Sequence, residues 1–168
     1  EAITLYERLA AEHGQSEHAA AALYGWAWCL LDLKKTDEAH AKFLAVHKDH
    51  AQSEYWADAT YRLAYMAAQQ KQHDEALKLL GELIDALGQR TKATVHVSDK
   101  SDEASVSNRA AATNPLETLN HARYLRAQVS IHLTRWDDAE KDLKQIIDAR
   151  ADSPLVLPAE FLYGDVAY

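Results

Sequence analysis

The chain is poor in everything that interrupts a helix: its 168 residues include five Gly and three Pro. That scarcity excludes collagen-like, turn-rich all-β and low-complexity architectures, and it implies helices joined by short turns. Cysteine is nearly absent. With Cys29 alone, an intramolecular disulfide and a multi-cysteine zinc site are excluded. Its neighbours Trp28 and Leu30 put this thiol on a buried helix face, as a small inert hydrophobe. No apolar run approaches the ~18 residues that cross a bilayer. Basic residues are outnumbered, 18 Lys and Arg against 26 Asp and Glu, for a formal charge of −8. No cationic cluster in the sequence breaks that field, so no nucleic-acid partner is expected. Catalytic patterns are missing as well. The glycines form no phosphate loop, and neither a Gly-x-Ser-x-Gly elbow nor a His-Glu-x-x-His pair occurs.

What the chain does have is helix-forming residues and a repeat. Hydrophobic residues make up 48% and charged residues 26%, with Ala, Leu, Glu, Lys and Gln plentiful. Three segments superimpose: Tyr24-Gly-Trp-Ala27 with Asp37-Glu-Ala39, Tyr61-Arg-Leu-Ala64 with Asp74-Glu-Ala76, and Tyr124-Leu-Arg-Ala127 with Asp137-Asp-Ala139. The first two are offset by 37 residues and the last two by 63, which is one unit plus an insert of 26. The pattern continues outward in Ala2-x-x-x-Tyr6 and in Phe161-x-x-Gly164. Ala27, Ala64, Ala127 and Gly164 fall where the first helix of a hairpin presses on the second, and Ala39, Ala76 and Ala139 are their counterparts. Phe43, Leu80 and Leu143, with Val46, Leu83 and Ile146, continue an apolar stripe at helical spacing. Asp37, Asp74 and Asp137 place negative charge in the first turn of each second helix, where the dipole favours it. Ser16, Ser53 and Ser153 precede helix starts as amide acceptors.

The spacings predict helices near 1–12, 17–33, 37–49, 54–70, 74–87, 116–133, 137–150 and 156–168. Residues 1–168 form one array: a half repeat at 1–12, repeats at 17–50, 54–87 and 116–150, an inserted loop at 88–115, and a half repeat at 156–168. The half repeats at both ends are expected to belong to a longer array, or to pair with another copy and give a homo-oligomer through uncapped terminal helices. The insert has no Phe, Trp or Tyr, and reads as a solvated loop or a partner-binding one; Thr94 to Val97 could form a short extended piece. Arg126 stands in an otherwise apolar slot, which predicts a less tightly packed first helix in the third hairpin.

Small residue, eleven residues, Ala, three residues, large apolar residue resembles the tetratricopeptide pattern. The 37-residue unit, with Ala21-x-x-Tyr24, Asp58-x-x-Tyr61 and Ser153-Pro154 before Ala159-Glu-Phe161, resembles the repeats of bacterial cell-envelope proteins. Those include the Tol–Pal-associated periplasmic protein and outer-membrane assembly lipoproteins. The resemblance implies an all-α, right-handed solenoid of about eight helices in antiparallel hairpins, with no cofactor and no catalytic activity. It implies a protein or peptide partner held in the concave groove lined by first helices, and it favours a periplasmic or envelope location over a cytoplasmic one without fixing the compartment. Carried onto this sequence, the groove positions are Tyr24 and Trp28, then Asp58, Tyr61, Arg62, Tyr65 and Gln69. In the later units they are His121, Tyr124, Gln128 and Phe161.

Aromatic residues with polar tips anchor protein interfaces. The row Tyr24, Tyr61, Tyr124 and Phe161 could equally pack hairpin on hairpin, because one residue type recurs in every unit. Trp28, Tyr65, Arg62 and Gln69 vary between units and are the candidates for specificity. Chaperone-binding members of the family grip a terminal carboxylate with Lys and Asn, where this chain has Tyr24, Trp28, Tyr61 and Arg62; no such clamp is expected. The alternative function is a structural spacer or self-association module. Two histidine groups, His13/His18 and His47/His50 with Asp49, lack a further strong ligand and read as exposed surface histidines, not a metal site.

Overall fold

The computed structural model describes residues 4–6, 9, 17–95, 114–149 and 153–167, with side chains placed at 4–6, 9, 18–90, 114–149 and 153–167. Among them are seven helices: α1 Glu17–Asp32, α2 Thr36–Asp49, α3 Trp56–Gln69, α4 His73–Val95, α5 Pro115–His132, α6 Trp136–Asp148 and α7 Val156–Ala167. Thr4, Leu5, Tyr6 and Leu9 are helical too, and no described residue is in a strand. The chain divides into two compact units, residues 1–66 and 67–168, with the boundary inside α3.

Each hairpin turns by the same device. Lys34, Lys71 and Thr134 adopt positive φ of 60°, 61° and 58°. One residue later, the amides of Lys35, Gln72 and Arg135 donate to the carbonyls of Leu30, Ala67 and Ser130 at 2.9, 2.9 and 2.8 Å. The amides of Lys34, Lys71 and Thr134 donate to those of Leu31, Ala68 and Ile131. This pair of bonds closes a helix on a left-handed residue, a place that normally favours glycine. None of the three is glycine, so each turn carries some backbone strain, greatest at β-branched Thr134.

The second helices then start without a side-chain cap at Lys35 or Arg135. Acidic pairs occupy those first turns instead, Asp37 and Glu38 in α2, Asp74 and Glu75 in α4, Asp137 and Asp138 in α6. They offset the dipole, and Lys35–Glu38 and Arg135–Asp138 pair across one turn at 2.9 and 2.7 Å. Ser153 Oγ accepts from the Leu155 amide at 3.3 Å as expected. Ser53 uses its backbone carbonyl, which accepts from the Trp56 amide, while its Oγ is buried without a partner. Ser16 lies outside the described residues.

The small slots are all closed. Ala27, Ala39, Ala64, Ala76, Ala127 and Ala139 are fully buried. Gly25 meets a neighbour too: a Cβ there would lie 3.0 Å from the Tyr6 ring, so the missing side chain lets that ring reach α1. At Gly164 a Cβ would meet no atom within 4 Å. In residues 67–168, α4 packs on α5, α5 on α6 and α6 on α7. Ala127, Ala139, Leu143, Ile146 and Ala159 form a buried cluster, with Tyr124, Leu162 and Tyr163 against it.

Three sequence expectations need correcting. α4 runs to Val95, eight residues past the expected end at 87. Gly88 does not stop it, because Gln89 to Ala93 are adequate helix formers and one interior glycine costs only about 1 kcal/mol. Thr94 and Val95 are therefore helical, not extended, and residues 96–113 lie outside the described set. α5 begins one residue early, at Pro115, because the Asn114 side chain accepts from the Leu116 amide at 3.1 Å and proline suits a first helical position. Arg126 does not loosen its hairpin. Its Nε and Nη2 donate to Asp142 Oδ2 and Oδ1 at 2.7 and 2.6 Å, a bidentate pair whose carboxylate is 1% exposed.

Candidate functional site

In residues 1–66 the expected groove positions gather on α1 and α3. The Tyr24 ring sits 6.2 Å from Trp28 and 5.8 Å from Phe43, both edge-on, and 5.3 Å from Tyr55. Trp28 also meets Phe43 edge-on at 6.2 Å. These rings follow the offset geometry their quadrupoles prefer. Tyr24 thus contributes to packing on the second helix as well as facing Trp28. Burial raises its hydroxyl pKa above 10.0, opposed by the Trp28 hydrogen bond, with Asp58 raising and Arg62 lowering it further.

From α3, Arg62 places its guanidinium 4.5 Å from the Trp28 ring centre and 5.9 Å from that of Tyr61. Such stacking holds a cation against an apolar face while leaving guanidinium N–H groups for a further acceptor. Tyr61 is half-buried, and burial raises its pKa, with Arg62 lowering and Tyr65 raising it. One turn on, Tyr65 is 41% exposed. Trp28, Arg62 and Tyr65 therefore make an aromatic and cationic surface held by a packed aromatic floor, with Asp58 half-buried on the same helix.

In residues 67–168 the expected positions scatter. Gln69 and Gln128 line one recess of about 710 Å³, together with His73, Leu125, His132 and Leu162. The His73 and His132 rings stack at 6.2 Å, and His73 Nδ1 is buried without a hydrogen-bond partner. His121 turns its Nδ1–H to the Glu117 carbonyl at 2.9 Å. Tyr124 packs on the Ala127–Leu143 cluster, and Phe161 is 77% exposed. Sequence reasoning missed His73 and His132. Their signal is weak: each stands beside a hairpin turn, in a different place relative to that turn.

Of the histidines weighed as ligands, His47 is engaged elsewhere. His47 is half-buried rather than exposed. Its Nδ1 pairs with Thr60 Oγ1 at 2.8 Å and its ring stacks on Trp56 at 5.9 Å. Thr60 Oγ1 in turn donates to the Trp56 carbonyl at 2.7 Å. His13 lies outside the described residues. Among the described residues no group of three His, Cys, Asp or Glu could hold a metal ion, and no helix is long and apolar enough to cross a membrane. Cys29 is half-buried and free.

Helices that each bury an alanine on either side of a shared left-handed turn define an all-α helical-repeat class. Within that class the tetratricopeptide-repeat family model matches residues 21–53 and 58–86, so those two segments carry tetratricopeptide repeats. No curated protein and no solved structure matches it. Tetratricopeptide repeats generally mediate protein–protein interactions.

Proposed function

We propose that this chain is a non-catalytic scaffold that holds an extended or helical segment of a partner protein against the Trp28, Arg62 and Tyr65 surface. The observation that carries the reading is Arg62 stacked on Trp28 beside an exposed Tyr65. Aromatic residues and arginine supply most of the binding energy in protein interfaces, and Trp28 and Arg62 are stacked in place before a partner arrives, which lowers the entropic cost of binding. Tyr24, Tyr61 and Asp58 border that surface. Gln69, Gln128, His121, Tyr124 and Phe161 extend the candidate set, with Gln69 and Gln128 the members that share a recess.

A self-association module is the second reading, favoured by Leu157 and Phe161, 76% and 77% exposed at i and i+4 on α7. That the repeat is of the bacterial cell-envelope variety is part of this proposal and rests on the 37-residue offset between the first two units in the sequence. The scaffold reading is tested by selecting peptides from a random displayed library on the intact chain and mapping them by amide shifts. It predicts shifts centred on α1 and α3 around Trp28 and Arg62. Shifts confined to α7, with dimerisation, would replace it with self-association.

A further inference from the structure

We propose that the recess between α4, α5 and α6 is a binding site for a compact oxyanion, a phosphate or carboxylate group held by Arg123 and Lys141. The recess has a volume of about 340 Å³, room for on the order of ten water molecules. In a chain of net charge −8, its polar lining is Gln89, Arg123, Arg126, Lys141 and Gln145, with Asp85 as the single carboxylate. It shares no lining residue with the recess around Gln128 and His132.

The charges in it are unequal in kind. Arg126 is already neutralised, because its Nε and Nη2 donate to Asp142. Arg123 and Lys141 form no ion pair among the described residues, and Arg123 Nε is buried without a hydrogen-bond partner. Burial pushes the Arg123 guanidinium below its usual range; Asp142 opposes that, and neighbouring Arg126 adds to it. A half-buried cation beside a second cation is costly unless an opposite charge meets it. An oxyanion would meet both needs: its oxygens accept from the planar Arg123 fork, while Lys141 acts as a point charge and the Gln89 and Gln145 amides serve as further donors. Gly88 borders the recess with open space where a Cβ would project, so no side chain of its own narrows the entrance.

The test is titration of the intact chain with sodium phosphate, sodium acetate and sodium chloride at matched ionic strength. Binding is read from the Arg123 Nε–H resonance and from calorimetry. Saturable shifts with phosphate, with acetate, or with both support the site and name the accepted group. Arg123→Gln and Lys141→Gln should each weaken binding about tenfold, the loss of one charge-assisted hydrogen bond. Lys78→Gln, on the exposed face of α4, should leave it unchanged. Asp85→Asn should tighten binding by removing the one carboxylate that lines the recess, a gain that a misfolded variant cannot mimic. Identical responses to all three salts, or wild-type affinity in Arg123→Gln, would overturn the proposal.

Discussion

The first and third hairpins use the same two repeat positions, sixteen residues apart, for opposite chemistry. In α1 and α2 the Lys42 ammonium lies 3.8 Å from the centre of the Trp26 ring. In α5 and α6 those positions hold Arg126 and Asp142, joined as a bidentate ion pair. The second hairpin has Leu63 and Leu79 there. Around them the frame stays constant: an alanine on each helix, a left-handed turn residue and an acidic first turn. A neighbouring set of positions differs as well. The first hairpin packs Tyr24, Trp28 and Phe43 edge to edge, where the third has Tyr124, Gln128 and Leu143. The lesson is that the hairpin backbone is set by small residues and turn geometry, while the side-chain contact that locks the first and third pairs of helices is exchangeable as long as both positions change together.

The comparison breaks most sharply at the ion pair. Asp142→Ala should cost about 3–5 kcal/mol, because it leaves Arg126 charged and half-buried with its partner gone. Lys42→Ala at the equivalent place should cost about 1–2 kcal/mol, the worth of a half-buried cation–π contact. Urea denaturation midpoints would separate the two. Replacing both members, as Arg126→Leu with Asp142→Leu, copies the second hairpin and should be neutral or stabilising. A smaller loss is expected from Phe43→Leu, which copies the third hairpin into the first. Two edge-on contacts disappear, and the midpoint should fall by the equivalent of about 1–3 kcal/mol.

The turns give a gain instead. Thr134→Gly should stabilise by about 1 kcal/mol and Lys34→Gly by somewhat less, since glycine adopts positive φ without strain and a β-branched residue does so worst. Thermal melting would show the order. The smallest effect concerns two half-buried tyrosines, one on α1 and one on α3. Tyr24 and Tyr61 have folded pKa values raised above 10.0. The stability they contribute is complete below the unfolded value and is lost as pH rises through the folded one. Melting temperature should therefore decline above pH 10, less steeply in Tyr24→Phe.

The hairpin frame was legible in the sequence because its determinants are local: Tyr24-x-x-Ala27 and its copies, the paired acids, and the Ala-x-x-x-large apolar stripe. The end of α4 was not, because composition at Gln89 to Val95 permits either loop or helix and Gly88 resembles a stop signal. Arg126 read alone as a defect. Its partner Asp142 lies sixteen residues away, and the signal that could have found it was the joint change at 26 and 42, 63 and 79, 126 and 142. The candidate surface was legible in part. The spacing put Trp28 and Arg62 on first helices, but only the structure stacks them at 4.5 Å. Tyr124 and Phe161 share a repeat position with Tyr24 and meet quite different surroundings, since what covers a residue depends on neighbouring helices and not on its place in the repeat.

The most direct test of the scaffold reading is the affinity of a library-selected peptide for the chain and for Trp28→Ala, Arg62→Ala and their double variant, measured by calorimetry. The account predicts a loss of tenfold or more for each single change, roughly 1.4 kcal/mol. It also predicts a double-variant loss smaller than the sum of the two, because the side chains act as one stacked unit. Unchanged affinity in the double variant, with folding intact, would contradict it.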